Sequence, residues 1–265
     1  MRPAITRIPA TRSTPASSTT SRRGAGVPSD APAGAVAPDP IVLAPLSLVR
    51  LLQLASPTLP IGAYSYSQGL ESAVEAGIVR DADTAKLWIA DVLALSVAGM
   101  EAPLLLRLVA AWKSDDDAAV ARWNDELIAS RETAELRAET LQMGYSLRRL
   151  LVELEVEGAR GLEAFEELAY PTAFAFAVAA WRIDAHEALA AYLFAWIENQ
   201  VLAAVKTVPL GQTQGQRILL ELARSIPFSV ESAAAMGDGD LSNLAPGLAL
   251  LSARHETQYS RIFRS

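Results

Sequence analysis

Cysteine is absent from this 265-residue sequence, and histidine occurs only twice, as His186 and His255. The lack of cysteine excludes disulfides, iron–sulfur clusters, thiolate zinc sites and cysteine nucleophiles. Two imidazoles cannot form a three-histidine zinc site, and neither lies in an H-E-x-x-H spacing. We therefore expect no conventional metalloenzyme, and we predict neither a metal-ligating residue nor a cofactor.

Positive charge and long membrane-like runs are also scarce. The chain has 23 Lys and Arg residues against 30 Asp and Glu residues, a net charge of −7, which argues against nucleic acid as a partner. No G-x-x-x-x-G-K-[ST] phosphate loop is present. The longest uncharged run, residues 51–70, contains Pro57, Pro60 and Gly62, which would break a helix. We expect no membrane partner and a cytoplasmic location.

The composition changes sharply near residue 40. Residues 1–40 contain five arginines, two aspartates and seven of the fifteen prolines, which predicts a disordered extension. A transit peptide is the functional alternative, although the prolines are too frequent for an amphipathic helix. From residue 41 to 265 the apolar residues recur at helical spacing, with no alternating β-branched runs. This pattern predicts one all-α domain, a bundle of about nine or ten helices.

Apolar stripes mark three amphipathic helices within this domain. The acidic run 115–117 suits the start of the first helix, and Asp184 followed by Glu187 suits a capping box at the start of the third. The stripes are Val120, Trp123 and Leu127; Leu136, Met143, Leu147, Leu150 and Leu154; and Leu189, Leu193, Trp196, Ile197 and Val201. Three further stretches are apolar on nearly all sides, which predicts burial in the bundle or cover by a partner chain: 86–97, 103–112 and 171–181.

A first unusual segment, the loop segment, covers residues 51–71 and reads LLQLASPTLPIGAYSYSQGLE. It predicts a helix that ends before Pro57, a Pro–Gly loop, and a helix that resumes near Ser65. The loop presents Tyr64 and Tyr66, whose rings suit an interface. The alternative is a packed turn whose tyrosines cover the protein's own core.

Two other segments also depart from ordinary helix composition. The elbow segment, residues 205–219, carries glutamines that suit hydrogen bonding to another backbone, although it equally fits a simple helix–helix elbow. The C-terminal segment, residues 254–265, places Tyr259, Ile262 and Phe263 on one face if it is helical. An apolar, basic terminal segment is normally docked, either on the protein's own core or on a partner.

Together these segments resemble the UreF family of urease accessory proteins, in motifs that run from about residue 46 to the end. The family patterns are P-x-L-P-I-G-[AG]-[FY]-S-[YF]-S with G-L-E, P-L-G-Q-x-x-G-Q-R, and R-H-E-x-x-Y-S-R-[LI]-F-R-S. They occur here from Pro57 to Glu71, from Pro209 to Arg217 and from Arg254 to Ser265. Residues 1–40 lie outside the resemblance.

The resemblance implies an all-helical homodimer that is not an enzyme. It implies binding to the UreD (UreH) accessory protein and to the GTPase UreG, in an assembly that delivers nickel to apo-urease. Modulation of the GTPase is a further role that the resemblance implies. On this basis the partner-binding residues are predicted to be Pro60, Gly62, Tyr64, Ser65, Tyr66, Ser67, Gly69, Glu71, Pro209, Gly211, Gln212, Gln216, Arg217, Arg254, His255, Glu256, Tyr259, Ser260, Arg261, Ile262, Phe263, Arg264 and Ser265.

A second hypothesis belongs to a different class. In it the chain is a helical-bundle enzyme that uses Tyr64, Glu71 and His255 as acid–base groups around an internal pocket. The enzyme hypothesis requires an enclosed cleft with a perturbed titratable pair, whereas the scaffold hypothesis requires exposed segments.

The composition of residues 1–40 generates a prediction about truncation. We expect deletion of these residues to leave folding and complex formation intact, because the segment cannot bury enough apolar surface to offset its ordering entropy. Thermal unfolding and co-purification of the truncated chain measure this. A clear fall in melting temperature would contradict the prediction.

Overall fold

The structure is a computed structural model that describes residues 45–265. Within that range ten α-helices occur and no β-strand, so the predicted all-α fold is confirmed. The prediction for residues 1–40 lies outside the described residues. The helices are α1 (Pro45–Leu54), α2 (Leu70–Glu75), α3 (Ala82–Lys113), α4 (Asp117–Ala129), α5 (Ala134–Glu153), α6 (Tyr170–Ala180), α7 (Ala185–Thr207), α8 (Gln212–Ala223), α9 (Ile226–Ala235) and α10 (Pro246–His255).

Acidic side chains start two helices as the sequence predicts. Asp116 accepts a hydrogen bond from the backbone amide of Ala119 at 3.0 Å at the start of α4. Asp184 accepts from the amides of His186 and Glu187 at 2.9 and 3.0 Å at the start of α7. The second hydrogen bond of a capping box, from the Asp184 amide to the Glu187 side chain, is not formed. Glu187 Oε2 is instead buried without a hydrogen-bond partner in the described structure.

Helix α6 occupies the centre of the bundle. Every residue from Pro171 to Val178 is buried, as expected for a helix that is apolar on all sides. It packs against α3, α4 and α5. The ring of Phe174 lies edge-on to that of Tyr192 at a centroid distance of 5.2 Å. Complete burial of one such ring contributes about 1.5 to 3 kcal/mol, so α6 supplies much of the core.

Two helix predictions are only partly correct. Leu150 is half-buried and Leu154 is exposed, while Leu151 fills the core position below Leu147. The reason is geometric, since Leu151 follows Leu147 by four residues and stays on the same helix face. In the stretch 86–97, Leu87 is likewise exposed rather than enclosed by the bundle.

Helix α3 contains a π-helical segment from Leu93 to Glu101. Its wider turn leaves the carbonyls of Leu95 and Gly99 able to accept hydrogen bonds from the amides of Leu244 and Ser242, at 2.9 and 3.0 Å. The segment ends at Glu101, whose side chain is buried. Such π segments often occur at functional sites because they redirect a side chain without ending the helix.

Two described helices are long and apolar enough to cross a bilayer by length and composition alone. They are Ala82–Lys113 and Ala185–Thr207, and 67% and 50% of their most apolar stretches are buried inside the fold. A core helix of a globular bundle has the same properties, so this observation is weak evidence for a membrane span.

The close approach of α5 to the start of α6 generates a stability prediction. A Cβ atom on Gly144 would overlap the backbone carbonyl of Leu168, which cannot move away as a side chain could. We expect Gly144→Ala to lower the free energy of unfolding by about 1 to 3 kcal/mol, measured by denaturant or thermal unfolding. The matched control is Gly161→Ala, where nothing lies within 4 Å of the added atom. Equal melting temperatures for the two variants would contradict the predicted overlap.

Candidate functional site

The structure brings two of the three unusual segments together. The C-terminal segment folds back over the second half of the loop segment, and backbone hydrogen bonds join them directly. The amide of Arg264 donates to the carbonyl of Ser65 at 2.8 Å. The amide and hydroxyl of Ser67 both donate to the backbone oxygen of Ser265, each at 2.6 Å. Residues almost 200 positions apart therefore form one structural unit.

The loop segment departs from the predicted helix restart near Ser65. Only a short 3₁₀ turn occurs there, Ala63–Ser65, and α2 begins at Leu70. The backbone at Gln68 and Gly69 has positive φ angles of 50° and 77°, which interrupts any helix before Leu70. This interruption places Glu71 in the first turn of α2, facing the C-terminal segment.

Glu71 is the centre of the contact between the segments. Its two carboxylate oxygens accept hydrogen bonds from the backbone amides of Ile262 and Phe263, at 2.7 and 2.9 Å. Its side chain is only 8% exposed. Bonds from amides to a buried carboxylate are charge-assisted and stronger than those between neutral groups.

His255 and Glu135 complete this cluster. The His255 ring is fully buried, with Nδ1 at 2.9 Å from Glu135 Oε2 and Nε2 at 3.2 Å from Glu71 Oε2. The guanidinium of Arg261 lies 3.2 Å from Glu135 Oε1. We call Glu71, Glu135, His255 and Arg261 the clasp cluster.

The predicted helical face of the C-terminal segment is wrong. Helix α10 ends at His255, and further along the segment the backbone amides of Ile262 and Phe263 bond to the Glu71 carboxylate instead of to preceding carbonyls. Phe263 is consequently buried, whereas Tyr259 and Ile262 point to solvent, the former completely and the latter 66% exposed. The apolar residues of this segment therefore divide between the protein's own core and its surface.

The Phe263 ring fills an apolar pocket on the main domain. It packs in a cluster with Leu70 of α2 and with Val208 at the end of α7. The ammonium group of Lys206 lies 5.3 Å from the ring centroid, in cation–π contact. This burial supports the alternative in which the segment caps its own core, but only for Phe263.

The two tyrosines of the loop segment also differ in burial. Tyr66 is buried, its carbonyl accepts from Asn199 Nδ2 at 3.1 Å, and burial raises the pKa of its hydroxyl. Tyr64 is 59% exposed and lies near Leu59 and Asn199, away from the clasp cluster. One tyrosine therefore belongs to the core and the other to the surface.

The elbow segment stays apart from the clasp cluster. Its predicted contact residues are all exposed: Pro209, Gly211, Gln212, Gln216 and Arg217. The elbow segment contacts the C-terminal segment through Val208 and Leu210, which pack in the same apolar cluster as Phe263, and through Lys206 over the Phe263 ring. In the fold itself this segment is an elbow between α7 and α8.

Beside the loop segment lies a cavity of about 60 Å³, which is lined by apolar and polar side chains and is large enough for a few water molecules. Glu139 of α5 connects it to the C-terminal segment, because its carboxylate accepts from Gln68 Nε2 at 2.8 Å and from the Ser265 hydroxyl at 3.0 Å. The Gln68 oxygen in turn accepts from Trp196 Nε1 at 2.7 Å. We call this space the central cavity.

A second carboxylate in the central cavity is paired. Glu101 accepts hydrogen bonds from Arg131 at 2.8 Å and from the Tyr192 hydroxyl at 2.6 Å. Burial raises the pKa of Glu139 to about 7, although Gln68 and Arg131 oppose this change. Burial and the Glu101 charge also raise the pKa of Tyr192.

The sequence-based search missed Glu101, Arg131, Glu135 and Glu139. For Glu139, the sequence contains one local signal of burial. It follows Leu136 by three residues and precedes Met143 by four, so it lies on the apolar face of α5. A glutamate on the buried face of a helix needs a partner, which marks it as unusual.

The structure does not bring together the three acid–base residues of the enzyme hypothesis. Tyr64 is on the surface, while Glu71 and His255 are buried under the C-terminal segment and do not line the central cavity. Both oxygens of Glu71 already accept backbone amides. Among residues 45–265, no group of three or more His, Asp or Glu side chains could hold a metal ion.

Comparison with known proteins identifies close relatives. The family model for UreF matches residues 79–223. The urease accessory protein UreF of Azoarcus sp. (strain BH72) is 59% identical over 225 residues, which cover 83% of this chain and 96% of that protein. The proteins of the same name from Dechloromonas aromatica and Methylobacillus flagellatus are 51% and 52% identical, and each alignment covers 83% of this chain and 98% of the relative.

The raised pKa of Glu139 predicts a pH-dependent stability. Because the pKa is about 7 in the folded protein and about 4.5 in its ordinary state, wild-type stability falls as pH rises between these values. Glu139→Gln removes the ionisation and keeps the shape. We expect the variant to gain stability relative to wild type from pH 5 to pH 8, by up to about 3 kcal/mol.

Thermal unfolding at both pH values measures this difference. Substitution of the exposed Glu163 by Gln is the control, and it should show no comparable gain. A stability difference between Glu139→Gln and wild type that does not change with pH would reject the prediction.

Proposed function

This chain belongs to the UreF family of urease accessory proteins, and from that premise we propose that it is a non-enzymatic scaffold. In this proposal it acts as a homodimer in the cytoplasm. It binds a UreD (UreH)-type accessory protein and a UreG-type GTPase, and the assembly delivers nickel to apo-urease.

The surface formed by the C-terminal segment is the observation that carries the proposal. Its backbone is held at Glu71, Ser65 and Ser67, so its position is defined before any partner binds. At the same time it presents Tyr259 and Ile262 to solvent. Ordered backbone with exposed apolar side chains favours binding, because little conformational entropy remains to be lost.

The division of chemistry between the partners follows from the residues present. The sequence has no phosphate-binding loop, so GTP hydrolysis is assigned to the UreG-type partner. The carboxylates of the clasp cluster already accept protein hydrogen bonds, which leaves them poor ligands for a transported metal ion. Nickel delivery in this proposal is a property of the assembly.

Exposed apolar residues elsewhere support an interface between two copies. Leu220 on α8 and Phe228 on α9 are 64% and 73% exposed. Large exposed apolar side chains of this kind commonly belong to protein–protein contacts. Analytical ultracentrifugation of the chain alone tests the dimer, and a monomer at micromolar concentration would remove that part of the proposal.

The different exposure of the apolar residues in the C-terminal segment allows partner binding to be separated from folding. We expect Tyr259→Ala and Ile262→Ala to keep the wild-type melting temperature and to weaken binding of the UreD (UreH)-type partner by about tenfold or more, because each loses an apolar side chain worth about 1.5 to 3 kcal/mol on burial. Phe263→Ala should instead lower the melting temperature, because its ring is buried in the protein itself.

Gel filtration of mixtures and titration calorimetry with the purified partner measure the binding. The control is Leu154→Ala, which removes an exposed leucine at the end of α5. Full binding by a folded double variant lacking both exposed side chains would reject the C-terminal segment as the interface.

A further inference from the structure

A second, smaller void lies beside the central cavity. Its volume is about 10 Å³, close to the roughly 10 to 15 Å³ that a cavity needs to hold one water molecule. Gln68, Glu101 and Arg131 line both spaces, so the void and the central cavity share a wall. The void is also lined by Ser130 and by Asn243, which lies in the connection between α9 and α10. We call this space the side void.

Arg131 supplies the side void with a hydrogen-bond donor. Its side chain is 10% exposed, and Nη1 of the guanidinium donates to Glu101 Oε1 at 2.8 Å. The Nε atom of the same guanidinium is buried and has no hydrogen-bond partner among residues 45–265. A guanidinium in a protein does not lose its proton, so Nε is a donor at every accessible pH.

Asn243 supplies an acceptor to the same space. Its Nδ2 atom donates to the backbone carbonyl of Ser130 at 2.9 Å. A carbonyl oxygen can only accept, so this bond fixes which end of the amide is nitrogen. The Oδ1 atom is therefore an acceptor, and it is buried without a partner in the described part of the chain. Burial of either group without a hydrogen bond is unfavourable, so both require a partner.

From these two groups we propose that the side void is a binding site for one water molecule. The water accepts a hydrogen bond from Arg131 Nε and donates one to Asn243 Oδ1. The Ser130 hydroxyl donates its own hydrogen to the Leu127 carbonyl at 2.7 Å, which leaves its oxygen able to accept the second proton of the water.

The chemistry of the site selects water over other small ligands. A metal cation would be repelled by the guanidinium of Arg131, and a monatomic anion could not donate to Asn243 Oδ1. A volume of about 10 Å³ excludes larger molecules that both donate and accept. Only a neutral ligand the size of water satisfies both groups.

The bound water joins two parts of the structure that meet at the π-helical segment. On one side is the buried pair of Glu101 and Arg131, and on the other is the connection between α9 and α10. Backbone bonds from Ser242 and Leu244 already attach this connection to α3. The water adds a link from its side chain to the wall of the central cavity. This proposal concerns the chain alone and does not depend on which partner binds it.

The first test detects the water at the arginine. Nuclear magnetic resonance of the full chain labelled with nitrogen-15 arginine resolves the Nε–H signals, and that of Arg131 is assigned through its own backbone. We expect a rotating-frame Overhauser cross-peak from this N–H to water, opposite in sign to the diagonal, which separates close contact from proton exchange. An Arg131 Nε–H signal that is observed without such a cross-peak would overturn the proposal.

The second test removes the acceptor. Asn243→Leu keeps a side chain of similar size but has no oxygen to receive the water proton. We expect this variant to lose the Arg131 cross-peak, and oxygen-17 relaxation dispersion to count one fewer long-lived water than in the wild type. Ser242→Ala is the matched control, because it removes a hydroxyl from the same connection and keeps the backbone bond to Gly99.

The variants separate a bound water from a general loosening of the connection. Ser242→Ala should keep both the cross-peak and the wild-type number of long-lived waters. An unchanged cross-peak and an unchanged count in folded Asn243→Leu would overturn the proposed bridge. If Asn243→Leu does not fold, the first test still decides the question, because it uses the wild-type chain.

Discussion

The structure of the functional region depends on one buried carboxylate, that of Glu71. Its two oxygens accept the backbone amides of Ile262 and Phe263 and also face the His255 ring. Removing a carboxylate from water costs several kcal/mol unless hydrogen bonds and an opposite charge compensate. The C-terminal segment supplies two hydrogen bonds to this carboxylate, so the segment and the loop stabilise one another.

This constraint explains how one short segment serves both the core and the surface. Because the Glu71 carboxylate accepts the amides of two successive residues, the backbone bends at Ile262 and Phe263 and does not continue as a helix. Phe263 enters the apolar cluster below, and Ile262 faces solvent. A continued helix would have placed both side chains with Tyr259 on a single face, and the segment could then have been only buried or only exposed.

The central cavity also contains buried carboxylates that depend on hydrogen bonds from distant parts of the chain. Glu139 and Glu101 are buried acidic side chains, and each is held by groups from other helices or from the loop segment. The π-helical part of α3 ends at Glu101, so an irregular helix is what places that carboxylate opposite Arg131. The loop segment is thus held from both sides, by Glu71 at its end and by Gln68 in the cavity.

Much of the fold followed from the sequence because the signals were local. Helix starts at Asp116 and Asp184, and the burial of α6 along its whole length, depend on neighbours a few residues away. The family motifs were readable for the same reason, and the relatives confirm the family. For Glu139, its position on an apolar helix face was a local signal, but its partners were not.

Only the tertiary structure decided how the segments are used. Local spacing made Tyr259, Ile262 and Phe263 equivalent, yet contacts with Glu71, almost 200 residues earlier in the chain, make one of them core and two of them surface. The charge cluster around His255 likewise combines α2, α5 and α10. Hydrogen bonds between distant residues leave no periodicity in a sequence, because they depend on the packing of whole helices and not on the spacing of residues within one.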